Sequence, residues 1–384
     1  MKKICLLTLM ILLIGVLIFV GCAQPAPVPK PAPTPVPAPS PATAPAPAPS
    51  PTPAPVPAPA KVYKLRYADQ NPILGWEGQH AVLPWIEMME KATNGRVKFE
   101  VYDSQTLCKG TDAWQATKNG VADVAWAFHG YWPGVTPLAD VIALPFMPFK
   151  SAKQASGILW QLYEKFPKLR DQFKDNQVLL LWTTESYFLT NAKREIRTID
   201  DVKGLKLRVI GGPPVESMKR LGGVPVTMGM PDTYINIQKG VIDGMGSVWE
   251  SLYSFRQYEV MKYYTYVPLY TGYFSQIVNR DTWNSLPQDI RDQIMNAAGG
   301  LKGSEFWGAN MFDSAAKEVP AIVRSKGYPM TEYTLPPDEL QKWIDVAGKP
   351  IWEQWVKDMK AQGYPEAQEI LDTTLNLIKT YTPK

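Results

Sequence analysis

From Ala23 to Ala60 nearly every other residue is proline, as in Pro25-Ala26-Pro27-Val28-Pro29, with Ala, Val, Ser and Thr between. A proline nitrogen has no hydrogen to donate and its ring fixes φ, so such a run can enter neither a helix interior nor a sheet ladder. It favours extended polyproline II and has too little apolar bulk to build a core. The fold must therefore be built from the residues beyond 60. At about 3.1 Å per residue the run reaches on the order of 100 Å, which suits a stalk, and a spacer without mechanical purpose would share the same physics.

The chain begins Met1, Lys2, Lys3, continues as a predominantly apolar run from Ile4 to Val20, and closes that run with Gly21 and Cys22. Basic residues before an apolar stretch and a small residue after it are the anatomy of a secretory signal, with Cys22 as the expected lipidation site. An uncleaved anchor is the alternative, although the run is short for about 30 Å of hydrocarbon at about 1.5 Å per residue. Phe19 stands where a lipoprotein signal usually has leucine. The expected location is extracytoplasmic, in the periplasm or on the outer face of the cell membrane, with a lipid anchor at Cys22.

Of the three cysteines, Cys5 lies in the signal and Cys22 at its end, leaving Cys108 for the folded part. One cysteine forms no intramolecular disulfide and no Cys-rich metal site. No metal and no cofactor are expected. Forty basic and thirty-six acidic residues give +4, and removing Lys2 and Lys3 leaves +2. Interspersed, nearly balanced charge argues against nucleic acid as a partner, since phosphate binding needs concentrated positive charge.

Beyond the proline run, strand and helix patterns alternate. Val62 to Ala68 reads as a strand, Glu77 to Ala92 as a helix with Ala81, Trp85, Met88 and Ala92 on one face, and Arg96 to Tyr102 as a strand. Trp114 to Lys118 (helix), Val121 to Phe128 (strand), Ala152 to Phe166 (helix), Val178 to Thr184 and Leu205 to Ile210 (strands), and Pro213 to Leu221 (helix) continue the alternation. The fold class is α/β. Ser285-Leu286-Pro287-Gln288 has capping-box spacing ahead of Ile290, Ile294, Ala297 and Leu301, the face of a long helix with a break expected at Gly299-Gly300. Glu339 to Ala361 and Glu366 to Tyr381 predict two more helices. A folded part of this size divides into two lobes with a cleft. The expected organisation is a signal over 1–22, a stalk over 23–60 and a two-lobed binding domain over 61–384. Its lobes would lie at about 61–184 and 185–280, with C-terminal helices 281–384 packing across both.

Catalytic signatures are sparse. A Ser-His-Asp or Cys-His unit would have to use His80 or His129, the two histidines of the chain. His80 falls in a helix and His129 in the turn Phe128-His129-Gly130-Tyr131-Trp132, and no nucleophile elbow, phosphate loop or His-Glu-x-x-His helix accompanies them. Asp200-Asp201-Val202-Lys203-Gly204-Leu205-Lys206-Leu207-Arg208-Val209 is more informative. Leu205, Leu207 and Val209 share one face of a strand while Lys206 and Arg208 share the other, which aims a guanidinium off a strand end. Arginine suits a carboxylate because its planar fork donates two parallel hydrogen bonds, and a solvated charged face would give the same spacing.

The stretch Asp201-Val202-Lys203-Gly204-Leu205-Lys206-Leu207-Arg208 resembles the signature of solute-binding subunits of tripartite ATP-independent periplasmic (TRAP) transporters. Pro225-Val226-Thr227-Met228 followed by Tyr234-Ile235-Asn236-Ile237-Gln238-Lys239-Gly240-Val241-Ile242-Asp243-Gly244 is similar to that family's E-x-Y-x-A-L-Q-x-G-V-x-D-G block. Asn119-Gly120-Val121-Ala122-Asp123, Ala143-Leu144-Pro145-Phe146 and Asn279-Arg280-Asp281-Thr282-Trp283-Asn284-Ser285-Leu286-Pro287 match further motifs, and the resemblance spans Val62 to Tyr381. It implies a two-lobed, periplasmic-binding-protein-like fold with mixed sheets that closes over an organic acid. The acid is then passed to a small and a large membrane subunit driven by an ion gradient. Arg208 matches the arginine that grips the ligand carboxylate.

Three departures shape the expected ligand. Tyr187 and Phe188 stand before Thr190-Asn191, where many members carry another arginine. Met245-Gly246-Ser247-Val248-Trp249 follows where several have an acidic or amide pair, and Phe128 replaces a polar contact. Aromatic walls cannot satisfy the hydroxyls of a sugar acid, so an apolar or aromatic monocarboxylate is expected. The expected ligand contacts are Arg208, Phe128, Tyr187, Phe188, Trp249, Ser247, Tyr273, Trp126 and Tyr131, with packing equally open for Trp126, Tyr131, Trp249 and Trp182. Competing readings are a receptor for an ATP-driven importer, a secreted hydrolase or lyase using Glu185, Asp232 or Asp243, and a stalked adhesin.

Overall fold

The computed structural model of the chain describes residues 29–33 and 61–383. The signal, Cys22 and all of the stalk but 29–33 lie outside the described residues; residues 29–33 are exposed and without regular structure. From residue 61 onward strands run in chain order as β1 (Tyr63–Ala68), β2 (Val97–Tyr102), β3 (Val124–Phe128), β4 (Gln177–Thr183), β5 (Phe188–Asn191), β6 (Lys206–Arg208), β7 (Val224–Val226), β8 (Gly244–Ser247), β9 (Tyr263–Tyr266), β10 (Tyr273–Val278) and β11 (Thr331–Thr334).

They form two mixed sheets, ordered β2-β1-β3-β10-β4 and β11-β9-β5-β8-β6-β7. β1 pairs in parallel with β2 and β3, and β6 pairs in parallel with β7 and β8. Helices such as Leu83–Ala92, Ala113–Lys118 and Thr233–Gln238 lie between these strands in the chain, as parallel crossovers demand. The α/β reading with mixed sheets therefore holds. Strand pairing does not follow the simple order of the chain, because β10 returns to the first sheet antiparallel to β3 and β4, while β11 joins the second beside β9.

Two crossing segments link the sheets and brace each other. Thr184 donates its backbone N–H to Gly272 at 2.9 Å, Tyr187 to Tyr270 at 2.7 Å, and Leu269 to Tyr187 at 2.9 Å. Around them lies a tryptophan-rich core, with Trp182 against Trp307 at 4.5 Å and Trp307 against Trp85 at 5.7 Å between ring centroids. Trp182, for which sequence leaves packing and contact equally open, is a core residue, fully buried and stacked on Phe274.

The Ser285-Pro287 turn is built differently from the expected capping box. Ser285 ends the short helix Arg280–Ser285, donating its hydroxyl to the Thr282 carbonyl, and the next helix, Gln288–Ala298, starts after Pro287 without a side-chain cap. The break at Gly299-Gly300 is present, and helical structure resumes from Gly300 to Ser325 through a widened turn at Gly308–Asp313. The expected helix Glu339 to Ala361 is two helices, Pro337–Ala347 and Lys349–Ala361, divided at Gly348. Pro350 explains the division, since proline is tolerated in a first turn but not in a helix interior. No helix among the described residues is long and apolar enough to cross a membrane.

Candidate functional site: a buried guanidinium beside an aromatic cavity

Hydrophobic alternation in β6 buries Leu207 within the second sheet. Arg208 comes next in the strand and is buried too, at 1% exposure. Its Nε and Nη2 donate to the Met228 carbonyl at 3.4 Å each, and its Nη1 makes no hydrogen bond. No ion pair among the described residues uses it. Three phenols surround the charge: Tyr131, Tyr187 and Tyr270. Burial raises the pKa of each, and the nearby guanidinium partly offsets that rise. A buried cation without a protein anion is costly, and a carboxylate reaching the same place would remove the cost.

Tyr131 is the wall shared by the groove holding Arg208 and a small aromatic cavity between the two sheets. Trp126, Phe128 and Phe274 come from the first sheet, Tyr187 from a crossing segment, and Met311 and Phe312 from the widened helical turn. Phe128 packs on Phe274 at 4.7 Å and edge-on to Tyr131 at 4.9 Å. The space open within it, about 20 Å³, is far below the roughly 300–1,000 Å³ typical of ligand pockets, so a ring enters only as the walls move apart.

Of the residues expected at the site, Trp126, Phe128, Tyr131 and Tyr187 line the cavity and Arg208 lies behind Tyr131. Phe188, Ser247, Trp249 and Tyr273 are not among the lining residues. Phe188 and Trp249 pack on one another at 5.4 Å in the second apolar core. Ser247 shares a 2.6 Å hydrogen bond with Thr190 across paired strands. Tyr273 stacks on His129 at 5.0 Å and donates to Asp140 at 2.7 Å, on the face of β10 away from the cavity. Its neighbour Phe274 takes the cavity face, because successive side chains in a strand point to opposite sides.

Sequence reasoning missed the polar stretch of the wall, Gln70, Asn71, Glu250 and Ser251. Tyr131 donates to Gln70 at 2.9 Å and accepts the backbone N–H of Met230 at 2.9 Å, joining the two sheets' loops. Glu250 accepts the Ser254 hydroxyl at 2.6 Å, and the same hydroxyl oxygen accepts the Trp76 N–H at 3.0 Å. Glu77, which donates its own N–H to Glu250, and Asp69 complete a buried acidic group whose carboxyls are held well above their usual range by burial. Isolated acids in unremarkable sequence gave no signal for this grouping.

The remaining ionisable candidates serve as braces. His129 is buried between Ser275 and Thr136 and is kept neutral by burial, which lowers its pKa to about 3. His80 is exposed and stacked on Trp76. Asp243 accepts the Lys206 N–H, and Glu185 accepts that of Trp249. No cluster of His, Cys, Asp and Glu among the described residues is arranged to hold a metal.

Residues 76–358 match the family model "Bacterial extracellular solute-binding protein, family 7". A TRAP solute-binding protein from Rhodoferax ferrireducens, solved with copurified benzoate, superposes with a TM-score of 0.78 at 27% identity over 83% of this chain and 98% of that one. A marine metagenome TRAP solute-binding protein specific for aromatic acids, solved with 3-hydroxybenzoate, gives 0.78 and 27% over 84% and 99%. The C4-dicarboxylate-binding periplasmic protein of Vibrio cholerae is 26% identical over 70% of this chain and 79% of its own length.

Proposed function

The chain belongs to family 7 of the bacterial extracellular solute-binding proteins, and from that premise we propose that it captures an aromatic monocarboxylate and delivers it to a TRAP transporter. The observation that carries the ligand class is the pairing of Arg208, buried with Nη1 unpartnered, with the aromatic cavity sharing the Tyr131 wall. In this reading Arg208 donates to the ligand carboxylate while Phe128, Trp126, Tyr131 and Tyr187 hold the ring, and Phe188, Ser247, Trp249 and Tyr273 support the walls from behind. Binding aromatic acids is also what the benzoate and 3-hydroxybenzoate proteins do.

The moving parts are two lobes, the first sheet over about 61–184 with β10 and the second over about 185–266, with the helices beyond residue 281 across both. Closure strengthens the ion pair by excluding water. The ligand leaves unchanged, so the protein works as a receptor and not as an enzyme. A lipid on Cys22 and the proline-rich stalk would tether the domain to the membrane bearing the transporter.

The test is to purify the protein from cells, identify any co-purifying acid by mass spectrometry, and titrate benzoate into native protein and Arg208→Gln. Benzoate binding that disappears in a folded variant supports the proposal. Equal affinity in the two proteins, or no affinity for any aromatic acid, refutes it.

A further inference from the structure

Arg208 lies behind the Tyr131 wall of the cavity, whereas another stretch of that wall is built from Asn71, Glu250 and Ser251. Glu250 is 3% exposed, and its carboxyl takes hydrogen bonds from the Ser254 hydroxyl and the Glu77 backbone. Asn71 donates its side-chain amide to Glu77 and its backbone N–H to Asp69 at 2.9 Å. Three carboxyls thus crowd behind this stretch of wall, and no lysine, arginine or histidine among the described residues pairs with any of them. Arg208 acts on the tyrosines but is not among the influences on Glu250.

We propose that Glu250 is a specificity-determining residue, selecting aromatic acids that carry an uncharged hydrogen-bonding substituent such as a ring hydroxyl and excluding aromatic dicarboxylates. The inference rests on the aromatic-acid reading of the site. A ring hydroxyl donates to or accepts from a neutral carboxyl and brings no net charge into the cavity. A second carboxylate would arrive beside three acids with no cation, and an anion buried without a partner is strongly disfavoured. Burial keeps the Glu250 carboxyl protonated to higher pH than usual, which preserves its ability to donate.

Calorimetric titration of the ligand-depleted protein with benzoate, 3-hydroxybenzoate and benzene-1,3-dicarboxylate tests this. The hydroxylated acid is expected to bind roughly tenfold more tightly than benzoate, as one added hydrogen bond allows, and the dicarboxylate at least about a hundredfold more weakly. Glu250→Gln, whose amide still donates and accepts, should keep the hydroxyl preference, and Glu250→Leu should abolish it. Dicarboxylate binding as tight as benzoate in the native protein overturns the inference whether or not the leucine variant folds, and so does an unchanged preference in a folded Glu250→Leu. If none of the three acids binds, the aromatic-acid reading fails first and the inference falls with it.

Discussion

Asp123 and Asp243 play the same part in the two sheets. Asp123 accepts the backbone N–H of Arg66 at 2.9 Å and returns its own N–H to the Arg66 carbonyl at 3.1 Å; Asp243 does the same with Lys206 at 2.9 and 2.8 Å. Each closes a turn of the form Gly-Val-x-Asp, with Gly120 at φ +74° and Gly240 at φ +70°, a region that side chains disfavour. The motifs Asn119–Asp123 and Lys239–Asp243 are thus one device used twice, joining a short helix to a strand parallel to the one before it.

Removing either carboxylate should destabilise the fold while sparing the cavity. Asp123→Ala or Asp243→Ala is expected to cost about 1–3 kcal/mol, the penalty for a backbone donor left without its partner. Chemical denaturation would measure it, and a loss near zero for both would show the shared geometry to be incidental. Hydrogen bonds from Arg66 and Thr282 hold the Asp123 carboxyl below its ordinary range against the opposing effect of burial. Its contribution is therefore present above the usual carboxylate pKa of 3.8 and fades as the pH falls below it.

Arg208→Lys should bind the aromatic acid more weakly than the native protein, by about 1–3 kcal/mol. A lysine keeps the charge but replaces a planar fork with a point donor on a flexible stem. Isothermal titration against Arg208→Gln separates the two contributions. Native affinity in the lysine variant would mean that charge alone, and not bidentate geometry, holds the ligand.

Ligand affinity should fall as the pH rises through neutrality. Asp69 and Glu250 are raised to about 7 and Glu77 well above its ordinary value, in each case chiefly by burial, with mutual repulsion adding to Asp69 and Glu77. Asp103 and the Tyr67 phenol also face Asp69, and no lysine, arginine or histidine among the described residues forms an ion pair with the group. An acid whose pKa is higher in the closed form favours closure fully below its ordinary value, near 4, and loses that benefit as the pH climbs past about 7. Closure is therefore expected to take up protons. Titrations in buffers of different ionisation heat would detect the uptake, which Glu250→Gln should reduce; a pH-independent affinity between 5 and 8.5, roughly the window for such groups, would contradict it.

Most elements were legible because burial imposes period, as the buried Leu205, Leu207 and Val209 show in and beside β6. The guanidinium was legible for the same reason, since alternation put Arg208 off the end of β6. What failed was parity and distance. Between Tyr273 and Phe274, both aromatic, only pairing with β3 and β4 decides which faces the cavity. Likewise Ser247 and Trp249 turn into packing while Val248 and Glu250 line the wall. The acidic group joins residues 69, 77 and 250, and the return of β10 joins residue 273 to residue 183; no local pattern reports contacts so far apart along the chain.

The hydroxyl of Tyr131 ties the loop after β1 to the loop before Thr233–Gln238, donating to Gln70 and accepting from Met230. Tyr131→Phe keeps the ring against Phe128 but strands the buried Met230 N–H, so the cost should fall on closure and not on folding. The expected result is a weakening of ligand binding by about 1–2 kcal/mol, expressed as faster dissociation, with a melting temperature of the ligand-free protein near the native one. Ser254→Ala supplies a comparison, because it cuts the other link between loops, where Ser254 accepts from Trp76 and donates to Glu250. That variant should also alter the pH response, since it frees a carboxyl oxygen of the acidic group, whereas Tyr131→Phe should leave the response intact. Stopped-flow dissociation at pH 6 and 8 distinguishes the two. Unchanged dissociation in Tyr131→Phe would mean that this bond forms without regard to closure.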